Sequence, residues 1–149
     1  MIDVMHQLGG ERALIHANDL IQMDPDDAGA FVVRGYIFHR IREWDKAFVD
    51  FDHAIDLDPQ CCDAYFHRAE NYYDMGLYEA SAADNSKATL LDPSLGIGYF
   101  NLAMCFTKLS RDDEAELELA RSTDLGYADN YHRGLILECR EARGVHISK

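Results

Sequence analysis

Seven histidines and four cysteines are the side chains here best equipped to bind a metal or move a proton. Their spacing argues against both uses. His6, His16, His39, His53, His67, His132 and His146 contain no pair four residues apart and no His-Glu zinc motif, so each is expected to be a single surface imidazole. Cys61, Cys62, Cys105 and Cys139 lack the density of a disulfide framework and the spacing of paired metal knuckles, and read as buried or idle thiols. Asp24-Pro25-Asp26-Asp27-Ala28-Gly29 has a faint likeness to a calcium loop, but position five is Ala28 and position twelve is Gly35. No glycine-rich phosphate loop follows a strand, no Gly-x-Ser-x-Gly elbow occurs, and no cysteine has an oriented histidine. The expectation is a chain with no catalytic residue, no metal and no cofactor, hence not an enzyme.

The elements that would carry these residues are bounded by size and composition. A chain of 149 residues, 48% apolar and 28% charged, suits a single folded domain over residues 1–149. Acidic residues outnumber basic ones 27 to 14, a formal charge of -13 that repels phosphate backbones and anionic lipid, so neither nucleic acid nor a membrane surface is an expected partner. No basic segment followed by a long apolar run opens the chain, and no stretch approaches the roughly 18 apolar residues of a membrane helix. The expected location is cytoplasmic.

The three prolines, Pro25, Pro59 and Pro93, each follow an aspartate and recur every 34 residues. That period divides the chain into blocks 28–61, 62–95 and 96–129, after a partial block 1–27. Column eight of the blocks holds Gly35, Ala69 and Ala103, column twenty Ala47, Ser81 and Ala115, and column twenty-seven Ala54, Ala88 and Ser122. Between these small residues stand aromatics, Phe31, Tyr65 and Tyr99 in column four and Phe38, Tyr72 and Phe106 in column eleven. Two antiparallel helices per block account for the pattern, because small residues let the backbones approach and an aromatic fills the space alongside. The helices are expected to reverse at Arg42 to Asp45, Gly76 to Glu79 and Ser110 to Asp113, and each Asp-Pro to end a second helix.

These columns resemble the tetratricopeptide repeat family over roughly residues 10 to 126, with two departures: Asn85 where Phe51 and Leu119 stand in the neighbouring blocks, and Tyr127 in place of a fourth proline. The resemblance implies an all-α superhelical solenoid of antiparallel helix pairs, with about three full repeats. Before them, Glu11 to Met23 is expected as a second helix carrying Ala13, Ala17 and Leu20, with only Met1 to Leu8 for its partner. Either that short segment covers the end, or the exposed end associates weakly with another copy. After the repeats, a capping helix is expected at about 128–143, with Tyr131, Leu135, Cys139 and Ala142 on its apolar face and His132, Arg133, Arg140 and Glu141 elsewhere.

In this family the first helix of each pair lines a concave groove, so columns two, five, six, nine, twelve and thirteen point toward a partner. Nominated among them are Val32, Val33, Tyr36, His39 and Arg40, then Phe66, His67, Glu70 and Tyr73, then Phe100, Asn101, Met104 and Lys108; the charges in these columns, Arg40, Asp63, Glu70, Asp74 and Lys108, nearly cancel. Column five has two readings: open anchors, with Phe66 and Phe100 foremost, or packing between neighbouring first helices. Acidic runs such as Asp50 with Asp52 and Asp112 to Glu118 fall on the second helices and read as a solvated outer face. His39 and His67 in the groove would make partner binding pH-dependent near pH ~6.5.

The function implied is a protein-protein interaction module, an adaptor, scaffold or co-chaperone-like protein that binds a peptide segment of a partner. A known subset of the family grips acidic chaperone tails through a lysine, asparagine and arginine clamp. The matching columns here hold Val32, Tyr36, His67, Ile97 and Asn101, or Phe66, Glu70, Asn101, Tyr131 and Leu135 in the next register, so only Asn101 agrees. Two alternatives stand beside this reading: a bacterial secretion chaperone holding a translocator segment, and a scaffold that self-associates end-on.

Overall fold

The computed structural model describes residues 2–144, with side chains from residue 9 onward. The described residues form eight α-helices and no strand: α1 (Ile2–Met23), α2 (Ala28–Arg40), α3 (Trp44–Leu57), α4 (Cys62–Asp74), α5 (Tyr78–Leu91), α6 (Gly96–Lys108), α7 (Asp112–Asp124) and α8 (Asn130–Ala142). His146 and the side chains of Met1 to Leu8, His6 included, lie outside the described residues.

Three short linkers, residues 41–43, 75–77 and 109–111, reverse the chain by one device. The middle residue is left-handed, with φ 64° at Arg42, 78° at Gly76 and 61° at Ser110. The next amide then bonds back to a helix carbonyl, Glu43 to Phe38 (2.9 Å), Leu77 to Tyr72 (2.9 Å) and Arg111 to Phe106 (2.8 Å), closing the last turn. Glycine takes this conformation freely, whereas arginine and serine do so at about 1 kcal/mol. The hydrogen bonds and the helix pairing outweigh that cost, so the two non-glycine turns form in register with the glycine one.

The Asp-Pro pairs end α1, α3 and α5, and the aspartates do more than precede a proline. Each carboxylate accepts a hydrogen bond from the amide two residues on, Asp24 from Asp26 (3.1 Å), Asp58 from Gln60 (2.9 Å) and Asp92 from Ser94 (2.9 Å). Asp27 likewise accepts from Gly29 (2.8 Å) and caps α2, so two carboxylates of the calcium-like segment are committed to backbone amides.

Two expectations about the ends are corrected. No break follows Leu8, since α1 is continuous from Ile2 through Gly9 and Gly10 to Met23, and the separate partner helix does not form. Two glycines weaken a helix by about 1 kcal/mol each and do not end it without a cap. At the other end, the buried face of α8 centres on Ile136 (0% exposed) and Arg140 (8%), while Tyr131 is 69% exposed. Arg140 is buried because α7 neutralises it: its guanidinium lies 2.7 Å from Glu116 and 3.2 Å from Asp112, and Arg143 adds a 2.7 Å pair to Asp112. Glycine replaces the missing fourth proline: at Gly126 (φ 77°) the Tyr127 amide bonds back to Ser122 (3.0 Å) and ends α7.

The chain forms two compact units, Met1–Asn71 and Tyr72–Lys149, the division falling inside α4. In the first, Phe31, Val32, Ala54 and Ala64 form a buried cluster flanked by Ile21, Ile55 and Leu57. Gly35 is required there by close approach, because a Cβ at that position would stand 2.7 Å from the ring of fully buried Phe51. In the second unit, Phe100, Ala103, Leu119, Ala128 and Ile136 form one cluster and Ala82, Leu102 and Cys105 another. Asn85, in the column of Phe51 and Leu119, is 1% exposed; its amide donates to the Ser81 carbonyl at 3.1 Å while its oxygen accepts no hydrogen bond from the described residues.

Candidate functional site

In the first unit the nominated residues of α2 and α4 separate into core and surface. Val32 is 7% exposed and packs inward, whereas Val33 and Tyr36, one and four residues further on, are 44% and 39% exposed. Helical geometry explains the split, since successive side chains turn by about 100°: Phe31 and Val32 share the core-facing arc, and the next step carries Val33 out of it, with Tyr36 three residues on along the same side. His67 on α4 meets this open edge. Its ring centroid lies 4.9 Å from Tyr36, 5.1 Å from Phe66 in an edge contact and 6.3 Å from Phe51, and its Nδ1 lies 2.8 Å from Glu70 Oε2. Val33, Tyr36, half-buried Phe66, His67 and Glu70 thus form a patch of rings and aliphatic surface with one carboxylate.

Such a patch can hold an apolar side chain and accept a hydrogen bond. Glu70 orients the imidazole, but among the described residues His67 has no other hydrogen-bond partner and so no nucleophile to activate. His39 is differently placed: its Nδ1 is 3.1 Å from the Asn71 amide oxygen, while the amide nitrogen of fully buried Asn71 donates to the Trp44 carbonyl at 3.1 Å. His39 therefore helps tie α2, α3 and α4 together, and Arg40 beyond it is exposed.

In the second unit the column-five residue has the packed placement. Phe100 is 9% exposed, edge-on to His132 at 4.8 Å and 6.1 Å from Tyr127, within the cluster of Leu119 and Ile136. It is a core residue and not an open anchor, because α8 and the turn before it cover it. Met104 is half-buried against the same cluster, and Asn101 is half-buried. Tyr73 packs on Ala82, Leu102 and Cys105, where burial pushes its hydroxyl pKa up, and exposed Lys108 carries its ammonium 6.0 Å from the Tyr78 ring centre. The residues brought together as an open patch are thus Val33, Tyr36, Phe66, His67 and Glu70, and Val32 and Phe100 are removed from it.

Sequence reasoning missed three pairings. The His67–Glu70 contact has a legible signal, a three-residue spacing that places both side chains on one helix face. Asp50, expected on a solvated outer face, is 2% exposed and holds Arg34 through bonds of 2.8 and 2.7 Å, while Arg34 also donates to Asn18 at 2.9 Å. These bonds to Asp50 push the guanidinium pKa up, against the opposing effect of burial. Glu118 is likewise 8% exposed beside Arg121. An open cleft of about 460 Å³ adjoins this region, lined by Phe31, Arg34, Val49, Asp50, Asp52, His53 and Asp56. Asp52 in it is paired with Arg68 at 2.7 Å.

Among the described residues no three His, Cys, Asp or Glu side chains gather to hold a metal ion, and no helix is long and apolar enough to cross a membrane. No protein-family model and no curated protein sequence matches the chain. Solved structures do match. YrrB, a tetratricopeptide-repeat protein with an unusual peptide-binding site, superposes at TM-score 0.75 with 21% identity, over 86% of this chain and 66% of its own. The first tetratricopeptide-repeat domain of Spaghetti (RPAP3), bound to the HSP90 peptide SRMEEVD, gives 0.72 with 18% identity over 82% and 97%. The fold is that of the tetratricopeptide repeat. A crystal structure of MamA gives 0.71 with 20% identity over 78% of this chain, which spans 63% of the MamA chain. In tetratricopeptide-repeat terms, α2–α3 in the first unit and α6–α7 in the second are helix pairs, α1 packs on α2 from the second-helix position of a preceding pair, and α8 follows as a single helix.

Proposed function

We propose that the chain is a protein-interaction module, an adaptor or scaffold, that holds a segment of a partner protein on the open face of α2 and α4. The observation that carries this reading is the exposure of Val33 (44%) and Tyr36 (39%) beside the His67 ring, apolar surface left open among the described residues. The peptide bound to the Spaghetti domain and the peptide-binding site of YrrB are precedents for the same use of the fold. Covering these two side chains, 44% and 39% exposed, contributes roughly 0.6 to 1.3 kcal/mol each, well short of the ~8 kcal/mol of micromolar binding, so they mark where the segment lies and its other contacts supply most of the affinity. A chaperone-tail clamp has no part in the reading, because Val32 and Phe66 stand where its basic residues would be.

The test places a photo-crosslinking amino acid at Val33 and, separately, at Val49, which is 67% exposed on α3. In extracts of the source cell, a discrete partner adduct is expected from position 33, lost when Tyr36→Ala and Phe66→Ala are added to a chain that circular dichroism finds equally helical. Adducts from position 49 alone, or adducts at 33 that survive both substitutions, would move the partner to another face.

A further inference from the structure

We infer that the segment received on the α2–α4 face is apolar and cationic: a Leu, Val or Phe type side chain against Val33, Tyr36 and Phe66, with a lysine or arginine nearby that meets Glu70. This rests on the reading of that face as a peptide site and adds the chemistry of its occupant.

Charge complementarity carries the argument. Residues 1–71 contain fourteen acidic and six basic residues, a formal -8 of the chain's -13. On the face itself, Glu70 is held through Oε2 by His67 Nδ1 at 2.8 Å, and its second oxygen has no partner among the described residues. The carboxylate is therefore oriented before any ligand arrives and keeps an acceptor to offer. Asp63, seven residues before Glu70 on α4, shares its side of the helix and is exposed, so a second negative charge flanks the patch; the exposed cations at the end of α2, Arg40 and Arg42, lie beyond Tyr36 in the last turn and the linker. The partly exposed Tyr36 ring adds a surface over which a cation is attracted within about 6 Å of its centre. An acidic segment would instead bring its carboxylates toward Glu70 and Asp63 with no lysine on the patch to receive them.

The experiment is a selection of random twelve-residue peptides displayed on phage against the full chain, followed by fluorescence anisotropy of the enriched sequences. Enriched peptides are expected to carry lysine or arginine within about four residues of an aliphatic or aromatic residue. Their Kd should rise about fivefold with Glu70→Gln, which keeps the acceptor for His67 but removes the charge, and by a similar factor when the peptide's basic residue becomes glutamine. The two changes together should cost little more than either alone, a coupling that a purely structural role of Glu70 would not produce. Enrichment of acidic or uncharged peptides that bind the native chain and are lost from the Tyr36→Ala, Phe66→Ala chain would overturn the inference and leave the site standing. Peptides that bind that double variant as tightly as the native chain would overturn both.

Discussion

Gly35→Ala adds one methyl group where two helices meet most closely, and its consequence can be worked from distances. The new Cβ would lie 2.7 Å from Phe51 Cε1, 2.9 Å from Cδ1 and 3.2 Å from Asp50 Cβ, the first two shorter than carbon atoms tolerate. Neither neighbour has room to retreat, since Phe51 is 0% exposed and Asp50 is pinned by two hydrogen bonds from Arg34. Overpacking of this kind costs roughly 1 to 3 kcal/mol, and a blocked ring belongs at the upper end. Alanine returns about 1 kcal/mol through helix propensity, so the net loss is about 2 kcal/mol. Block three carries Ala103 in this column without difficulty, because Leu119 stands there where Phe51 stands here. Phe51→Leu should therefore relieve the clash. Alone it costs about 1.5 kcal/mol, but in its presence Gly35→Ala should become neutral or stabilising by about 1 kcal/mol, a coupling of about 2 to 3 kcal/mol. Urea unfolding followed by the fluorescence of Trp44, the single tryptophan and a residue of the same unit, measures all four corners of the cycle. If Gly35→Ala costs the same, within about 0.5 kcal/mol, in both backgrounds, the steric account of the glycine is wrong.

Phe100→Ala should destabilise the chain by about 3 to 5 kcal/mol as a core deletion, whereas Tyr36→Ala should shift stability by less than about 1 kcal/mol and act on partner binding, a contrast read by thermal melts beside the crosslinking yield. Burial pushes the Cys105 thiol up to about 11 while it donates to Ser81 Oγ at 3.2 Å, so at pH ~8 roughly one molecule in a thousand holds the thiolate. Iodoacetamide labelling read by mass spectrometry should therefore reach half-buried Cys139 well before Cys105, and equal native-state rates would contradict the packing. Asp129 caps α8 by accepting from the Tyr131 and His132 amides, and the His132 contacts hold its carboxyl below the ordinary 3.8. A lowered folded pKa means that the cap contributes fully above the ordinary carboxylate range and is lost as pH falls through the folded value. Protection of the Tyr131 and His132 amides, taken as their exchange relative to that of an unstructured chain at the same pH, should fall as pH drops below the ordinary carboxylate range, and Asp129→Asn should flatten that dependence.

The repeat, its helix pairs and their turns were legible in the residues alone, because the constraints behind them are local and recur. Asp24, Asp58 and Asp92 each close a turn through their own carboxylate, and the small columns from Ala47 to Ser122 are demanded wherever two helix backbones approach. The open patch was half legible: column positions nominated Val33, Tyr36, Phe66, His67 and Glu70, but they nominated Val32 and Phe100 equally. A column says which way a side chain leaves its helix, and only the tertiary structure says what lies across from it. For Phe100 that is His132, Tyr127 and Ile136, brought over it by a helix that begins some thirty residues later. Charge was misread for the same reason, since Asp50 and Arg140 look like surface residues until Arg34, Asp112 and Glu116 are seen beside them. A buried charge is tolerable only when its partner is in place, and that partner is chosen by the fold rather than by its neighbours in the chain.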